Sequence, residues 1–484
     1  MGKFRYGIAL LAAKLSVLAL KITRHNGTNF PGIVALKICP DFLKYIHKPK
    51  TIIGVTGTNG KTTVSNMLND LLSKLGRNVL NNGMGSNINT GIATCLISGV
   101  TLFGREKYDT AVLEIDERSA RVVFPYVQPD LMLISNLSRD SIMRNGHPEY
   151  IKYILERYMP EKTRLVLNAD DLIASSVSPE NPRVYYGIDQ MPGDFTECRN
   201  LINDMQICPK CHTKLKYKYI RYSNIGKAYC PNCDFKSPEY DCEAKDVDVS
   251  TMTMQYSGGG ESAEFKLMNP SVFNIYNQVS AIAVLQQMDY SLDQIKHAME
   301  QIQITSSRYG VHKIGDKTVR NILCKEKNAY AASRVFEYVG EQPGTKEILL
   351  FNNCIGDTHH WSENTCWLYD CDFEFLADDK IRQIIVYGDR GLDYKLRMLI
   401  AGVPEERITY VKDPADGVGK LKMLPDDNIY VFYGTDSFNL GMRTTKEAEA
   451  AVAAWTDAHG SKNAENESDR IPERSVDDDL MIVF

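Results

Sequence analysis

The sequence predicts an α/β protein: a central doubly wound parallel sheet with an inserted four-cysteine zinc ribbon, followed by a smaller Rossmann-like C-terminal domain. Three observations carry this. Residues 50–66, KTIIGVTGTNGKTTVSN, run from a β-branched strand through a glycine loop into an amphipathic helix. Apolar strands with polar ends recur at 110–116, 131–140 and 164–171, and strands that alternate with helices in this way build parallel sheets. Two Cys-Pro-x-Cys knuckles, Cys208/Cys211 and Cys230/Cys233, flank eighteen residues, the spacing of a tetrahedral thiolate site.

A chain of 484 residues is too long for one core. The expected division is an N-terminal helical segment at 1–48, an ATP-binding domain at 49–300 with the ribbon inserted at 205–236, a C-terminal domain at 301–457 and a disordered acidic tail at 458–484. A net charge of −5 gives bulk electrostatics no reason to attract nucleic acid. Twelve cysteines, two knuckles among them, and no cleavable signal favour a cytoplasmic, reducing setting over a disulfide framework. The first segment, FRYGIALLAAKLSVLALKI at 4–22, is apolar but interrupted by Arg5 and Lys14. The uninterrupted run is too short to span a bilayer comfortably, and the segment reads as a helix that packs on the domain or touches the inner face of a membrane.

In the glycine loop, Gly57 and Gly60 let the backbone of Thr58, Asn59 and Thr63 curl its N–H groups toward one anion. Lys61 can reach the β- and γ-phosphates of ATP and the Thr62 hydroxyl can ligate Mg²⁺. Asn82, Gly83, Gly85, Ser86 and Asn87 form either a plain connection or a second loop facing substrate. The strand at 110–113 ends in Glu114, Asp116 and Glu117. Carboxylates at the C-terminal edge of a parallel strand lie where nucleotide and metal bind, so Glu114 or Glu117 is the expected Mg²⁺ partner of Thr62. The next strands end in Ser135-Asn136 with Arg139-Asp140 beyond, and in Asn168-Ala169-Asp170-Asp171.

The ribbon segment, CPKCHTKLKYKYIRYSNIGKAYCPNC, alternates like a hairpin between its knuckles. Redox chemistry is the alternative, and doubling of the knuckle argues against it. Four thiolates leave no open coordination position, so a zinc there is structural. Asn274 and Asn277 then open a helix; an amide offers the donor and acceptor pair that an adenine edge requires. Beyond residue 317, strands and helices alternate again.

GVTGTNGKTT, the Glu-x-Asp-Glu at 114–117, the Asn-Ala-Asp-Asp at 168–171 and the Asn-x-x-Asn at 274–277 resemble the Mur ligase family, whose members form amide bonds through acyl phosphates. The ribbon, the Asp140-Ser141 pair in place of Asp-His, and Tyr387-Gly388-Asp389-Arg390 with Asp393 and Arg397 resemble its MurT-like branch. That resemblance implies ATP, Mg²⁺ and Zn²⁺ as cofactors. It implies amidation of the D-glutamate α-carboxylate of lipid II, with ammonia from a GatD-type glutamine amidotransferase subunit docked on the C-terminal lobe. It implies adenine contacts for Asn274 and Asn277, a phosphate contact for Arg308, and amide formation by Asp357. Glu363 is the candidate for a second acid in a segment, 352–370, that departs from the branch's pattern. Gly310 stands where the family has Glu. A ligase using an amino acid as amine donor and a non-catalytic nucleotide-binding paralogue are the alternatives.

Overall fold

The computed structural model describes residues 2–23, 27–83, 86–139, 147–302, 309–325, 328–351, 365–388, 390–425, 427–434 and 437–459. Residues fall into two compact units. The first takes 1–138, 147–199 and 203–304; the second takes 139–146, 200–202 and 305–484.

The first unit is built on a nine-stranded sheet. Its strands are β1 (Thr51–Thr56), β2 (Val79–Asn81), β3 (Thr110–Glu114), β4 (Leu131–Ile134), β5 (Arg164–Asn168) and β6 (Arg183–Ile188), followed, beyond the ribbon strands β7 (Lys216–Tyr222) and β8 (Ile225–Tyr229), by β9 (Cys242–Asp248), β10 (Thr253–Gly258) and β11 (Glu261–Lys266). The order is β11-β10-β9-β6-β5-β4-β1-β3-β2. From β9 to β2 every pairing is parallel, while β10 and β11 add an antiparallel edge. The central strands read as unbroken apolar runs (Ile52 to Val55, Ala111 to Leu113, Leu131 to Ile134, Leu165 to Leu167) because helices cover both faces. With β1 between β3 and β4, the chain leaves β1 toward one edge and returns to the other. That reversal opens a crevice beyond the C-terminal ends of the strands.

The N-terminal helix, Gly2–Ile22, packs through Ala9, Leu10 and Ala13 on this unit's core. Lys14, which breaks the apolar run in sequence, donates to the carbonyls of Ile97 (2.5 Å) and Val100 (2.6 Å). It closes the C-terminal end of the helix Asn89–Gly99, where carbonyls lack partners and a cation is favoured. Burial lowers its pKa to about 8.

The second unit holds a six-stranded sheet of β12 (Tyr309–Ile314), β13 (Lys317–Leu323), β14 (Thr345–Phe351), β15 (Ile381–Tyr387), β16 (Ile408–Val411) and β17 (Asp427–Tyr433), ordered β12-β13-β17-β14-β15-β16. It is parallel except for the β12–β13 hairpin, the Rossmann-like lobe the sequence predicts. Asn328 caps the helix Ala329–Glu341 by accepting from Ala331 N at 2.9 Å. Arg397 is almost wholly buried and donates to Leu368 O, Cys371 O and Glu374. It staples the 368–374 segment rather than facing solvent beside the Gly-Asp-Arg element.

Candidate functional site

The loop after β1 closes on itself before any ligand is considered. Gly57 sits at φ +132° and Gly60 at φ +85°, conformations that glycine alone adopts cheaply. Space forbids a side chain as well: a Cβ on Gly57 would meet Ser135 Oγ at 2.2 Å, and one on Gly60 would meet Asn277 Oδ1 at 2.4 Å. The end of β4 serves as the loop's floor. Asn136 accepts from Thr58 N through its carbonyl (2.8 Å) and from Asn59 N through Oδ1 (3.0 Å), while Ser135 Oγ donates to Asn59 O (2.7 Å). Gly60 then serves as N-cap of the helix Lys61–Lys74, whose Val64, Met67, Leu68, Leu71 and Leu72 are buried. The positive end of this helix therefore opens at the lip of the loop.

Two carboxylates from the β3 edge divide the work around that lip. Glu114 Oε2 accepts from Thr62 Oγ1 at 2.8 Å and Oε1 accepts from Asn87 Nδ2 at 2.8 Å. Asn82 fixes the Glu114 backbone on both sides, accepting from its N–H and donating to its carbonyl at 2.8 Å each. Glu117 lies elsewhere. Its Oε1 accepts from Gly57 N (3.0 Å) and from Lys61 Nζ (2.9 Å), and the same ammonium also bonds Gly57 O. Burial raises the Glu117 carboxyl above its usual value, against the pull of Lys61. Of the two expected partners of Thr62, the structure brings Glu114 to the hydroxyl and gives Glu117 to the lysine. Asp116 is occupied as well, accepting from Arg118 N and Ser119 N.

Asn274 and Asn277 lie in the first turns of the buried helix Val272–Gln286. Asn277 Nδ2 donates to Asn274 Oδ1 at 3.3 Å, whereas Asn274 Nδ2 is buried with no hydrogen-bond partner among the described residues. An unsatisfied buried amide costs about 1–3 kcal/mol, which a planar base with ring acceptors would relieve. The loop, the helix terminus, the Thr62–Glu114 pair and this amide fit an adenine nucleotide with a divalent cation. Asn82 and Asn87, whose part the sequence leaves open, hold Glu114 in place.

The knuckles form a second centre. β7 and β8 pair antiparallel across Ser223-Asn224, with Ser223 at φ +46°. The thiols of Cys208, Cys211, Cys230 and Cys233 lie within 4.8 Å of one another, an arrangement able to hold one tetrahedral cation.

Sequence reasoning missed the residue that joins this hairpin to the helix Val272–Gln286. Arg221, on β7, is buried and pairs with Asp170 (3.2 Å) and Asp194 (3.1 Å), and donates to Tyr276 OH at 2.6 Å. Tyr276 OH in turn donates to Asp170 Oδ2 at 2.6 Å, and Tyr240 OH donates to Asp170 Oδ1. Burial raises both phenols, so they stay donors. Asp171 caps the helix Leu172–Ser175 and accepts from Leu137 N (2.7 Å) and Asn224 Nδ2 (3.2 Å). The Asn-Ala-Asp-Asp element thus ties the hairpin to the sheet. A cation and two carboxylates this far apart in sequence carry no local signal beyond the basic, tyrosine-rich hairpin.

Arg308, Asp357 and Glu363 lie outside the described residues, as do Gly85, Asp140 and Asp389. His147 caps the helix Pro148–Tyr158 and is exposed.

Two family models match the chain: the Mur ligase middle domain over residues 55–205 and the MurT ligase C-terminal domain over 326–435. The lipid II isoglutaminyl synthase (glutamine-hydrolyzing) subunit MurT of Staphylococcus aureus is 31% identical over 402 residues, 82% of this chain and 89% of that protein. Its counterpart in Streptococcus pneumoniae is 31% identical over 409 residues, 83% and 88%. Among solved structures, a pseudomurein peptide ligase type C from Methanothermus fervidus has the same fold (TM-score 0.62, 21% identity, 84% of this chain and 80% of that one). So does MurF from Acinetobacter baumannii (TM-score 0.58, 15% identity, 86% and 80%).

Proposed function

The chain belongs to the MurT branch of the Mur ligase family, and from that premise we propose that it is the synthetase subunit of an ATP-dependent lipid II amidase. The observation that carries the reading is the closed glycine loop with Thr62 and Glu114 paired at its lip, in a chain alike to MurT proteins over most of its length. An oxygen of the D-glutamate α-carboxylate attacks the γ-phosphorus of ATP and displaces ADP. Ammonia then attacks the acyl carbon, the C–O bond to phosphate breaks, and D-isoglutamine and phosphate leave.

Each residue has a part. The N–H groups of Gly60, Thr62 and Thr63 receive the phosphates, and Lys61 leaves Glu117 to meet the transferred group. The N–H groups of Gly57, Thr58 and Asn59 are held by Glu117 and Asn136, so these three residues shape the loop instead of donating to the anion. Thr62 and Glu114 hold magnesium, which when bound neutralises charge on the phosphoryl oxygens. Glu117 is dropped from that role because its carboxylate serves Lys61 and Gly57 N. Asn274 and Asn277 hold the adenine. For Arg308 we carry over the phosphate contact that the family resemblance implies, and for Asp357, with Glu363 as second acid, the handling of the incoming ammonia. The donor is a separate GatD-type glutaminase subunit. On the second unit, Leu392, Leu396 and Ile400 expose an apolar face of the helix Gly391–Ile400 that suits such docking. The setting is the cytoplasmic face of the membrane that carries the lipid-linked substrate.

ADP release across amine donors tests the reading. Without a glutaminase, ammonium supports turnover on lipid II and glutamine does not; turnover with an amino acid but not with ammonium makes the chain an amino-acid ligase.

Zinc is the metal we assign to Cys208, Cys211, Cys230 and Cys233. The cluster that packs around the knuckles is small, five buried residues (Leu172, Cys208, Leu215, Ala228, Cys230), too little apolar surface to order that end of the hairpin alone. Chelation should release stoichiometric zinc and open β7–β8 to hydrogen exchange, leaving the β12–β17 sheet protected. Retained protection of the hairpin after metal loss would refute a structural role.

A further inference from the structure

The N-terminal helix leaves one whole face unpartnered. Phe4, Ile8, Leu11, Leu15, Leu18 and Ile22 are exposed, Phe4 at 76% and Ile22 at 73%. At 3.6 residues per turn they fall on an arc of about 80°, directly opposite the buried Ala9, Leu10 and Ala13. The Lys14 bonds to Ile97 and Val100 fix the helix's rotation, so the stripe stays outward.

Charge selects the occupant. The exposed cations Lys3 and Lys21 lie on one flank of the stripe and Arg5 on the other, and the helix contains no Asp or Glu. Residues 1–50 carry nine Lys and Arg against the single Asp41, a balance of +8 in a chain whose net charge is −5. A second copy packed on the same stripe would face these like charges with no acidic side chain to answer them. An anionic lipid surface answers them all, and an apolar face rimmed by cations is the form of a helix that lies in the interfacial plane. Among the described residues no helix is long and apolar enough to cross a membrane.

We propose that the helix Gly2–Ile22 seats the first unit on an anionic bilayer, with the Phe4–Ile22 stripe in the acyl boundary and Lys3, Arg5 and Lys21 at the headgroups. The biological sense of this rests on the lipid-linked substrate proposed above, but the physical claim requires no substrate.

The test is flotation of the full chain with vesicles of phosphatidylglycerol and phosphatidylcholine, or of phosphatidylcholine alone. The wild type should float with the anionic vesicles and release as salt rises. Leu11→Gln with Leu15→Gln should lower partitioning roughly tenfold or more. Lys3→Glu, Arg5→Glu and Lys21→Glu together should abolish the preference for anionic lipid. Both side chains in the first variant are exposed, so its thermal unfolding should match the wild type. Failure of the wild type to float, equal flotation of the double variant, or a wild-type dimer that Leu11→Gln/Leu15→Gln makes monomeric each overturns the proposal. None of these bears on amidation in detergent micelles, so the two readings fail separately.

Discussion

Lys61→Ala should lower the turnover of ATP-dependent amide formation by about 10²–10³-fold while leaving the fold intact. The geometry explains both halves. The Lys61 ammonium is bound at the loop carbonyl of Gly57 and the carboxylate of Glu117, and in the proposed reaction nucleotide binding recruits it to the charge that develops on the transferred phosphoryl group. The helix it opens is held by Val64, Met67, Leu68, Leu71 and Leu72, none of which the substitution touches. Loss of Lys61 also strands Glu117 in a buried position. Burial already raises that carboxyl, so it takes up a proton instead of unfolding the loop. Single-turnover ADP formation with saturating ATP, beside thermal unfolding of the same preparation, checks this. A turnover within a few-fold of wild type would remove Lys61 from the chemistry.

The second large effect falls on Arg221. Replacing it with Met leaves Asp170 and Asp194 buried without their cation, and breaking a buried pair in this way costs about 3–5 kcal/mol. The loss should reach beyond the ribbon. Tyr276 bonds both Arg221 and Asp170 and is the direct neighbour of Asn277, so loosening the cluster should tilt the helix that carries Asn274 and Asn277, the proposed adenine contacts. The expected signature is an about tenfold higher KM for ATP, equal to ~1.4 kcal/mol, with kcat less affected. Tyr276→Phe isolates the same link more gently, since it deletes only the hydroxyl and leaves the ring packed. It should raise KM for ATP in the same direction while zinc content stays unchanged. An unchanged KM in both variants would confine Arg221 to holding the hairpin.

Most of the first unit was legible because its signals are local. GTNGKTT sets two glycines, a lysine and a threonine at fixed spacing, and the backbone of Gly57 and Gly60 follows from them. The cysteine knuckles and the alternation between them placed β7 and β8 as a hairpin. What stayed hidden depends on pairing across the chain. Whether Glu114 or Glu117 meets Thr62 is decided by sheet register: β3 lies parallel to β1 with Glu114 opposite Val55, and the chain then turns into a short 3₁₀ segment at Glu117–Ser119 that swings the second carboxylate toward Lys61. The antiparallel strands β10, with alternating burial, and β11, with one buried residue, carry no motif. Arg221 and Asp170 stand 51 residues apart, and neither a basic hairpin nor an Asp-Asp pair specifies the other. Arg397 follows the Gly-Asp-Arg element in sequence, yet its guanidinium turns inward to the carbonyls of Leu368 and Cys371, a use no spacing reveals.

The central claim is that this chain makes a carboxylate reactive by phosphorylating it. Its most direct test is isotope transfer from lipid II labelled with ¹⁸O in the D-glutamate α-carboxylate, turned over with ATP and ammonium. Attack by the carboxylate predicts that the released phosphate carries one labelled oxygen, as mass spectrometry would read. Phosphate free of label, formed alongside amidated product, would contradict the account.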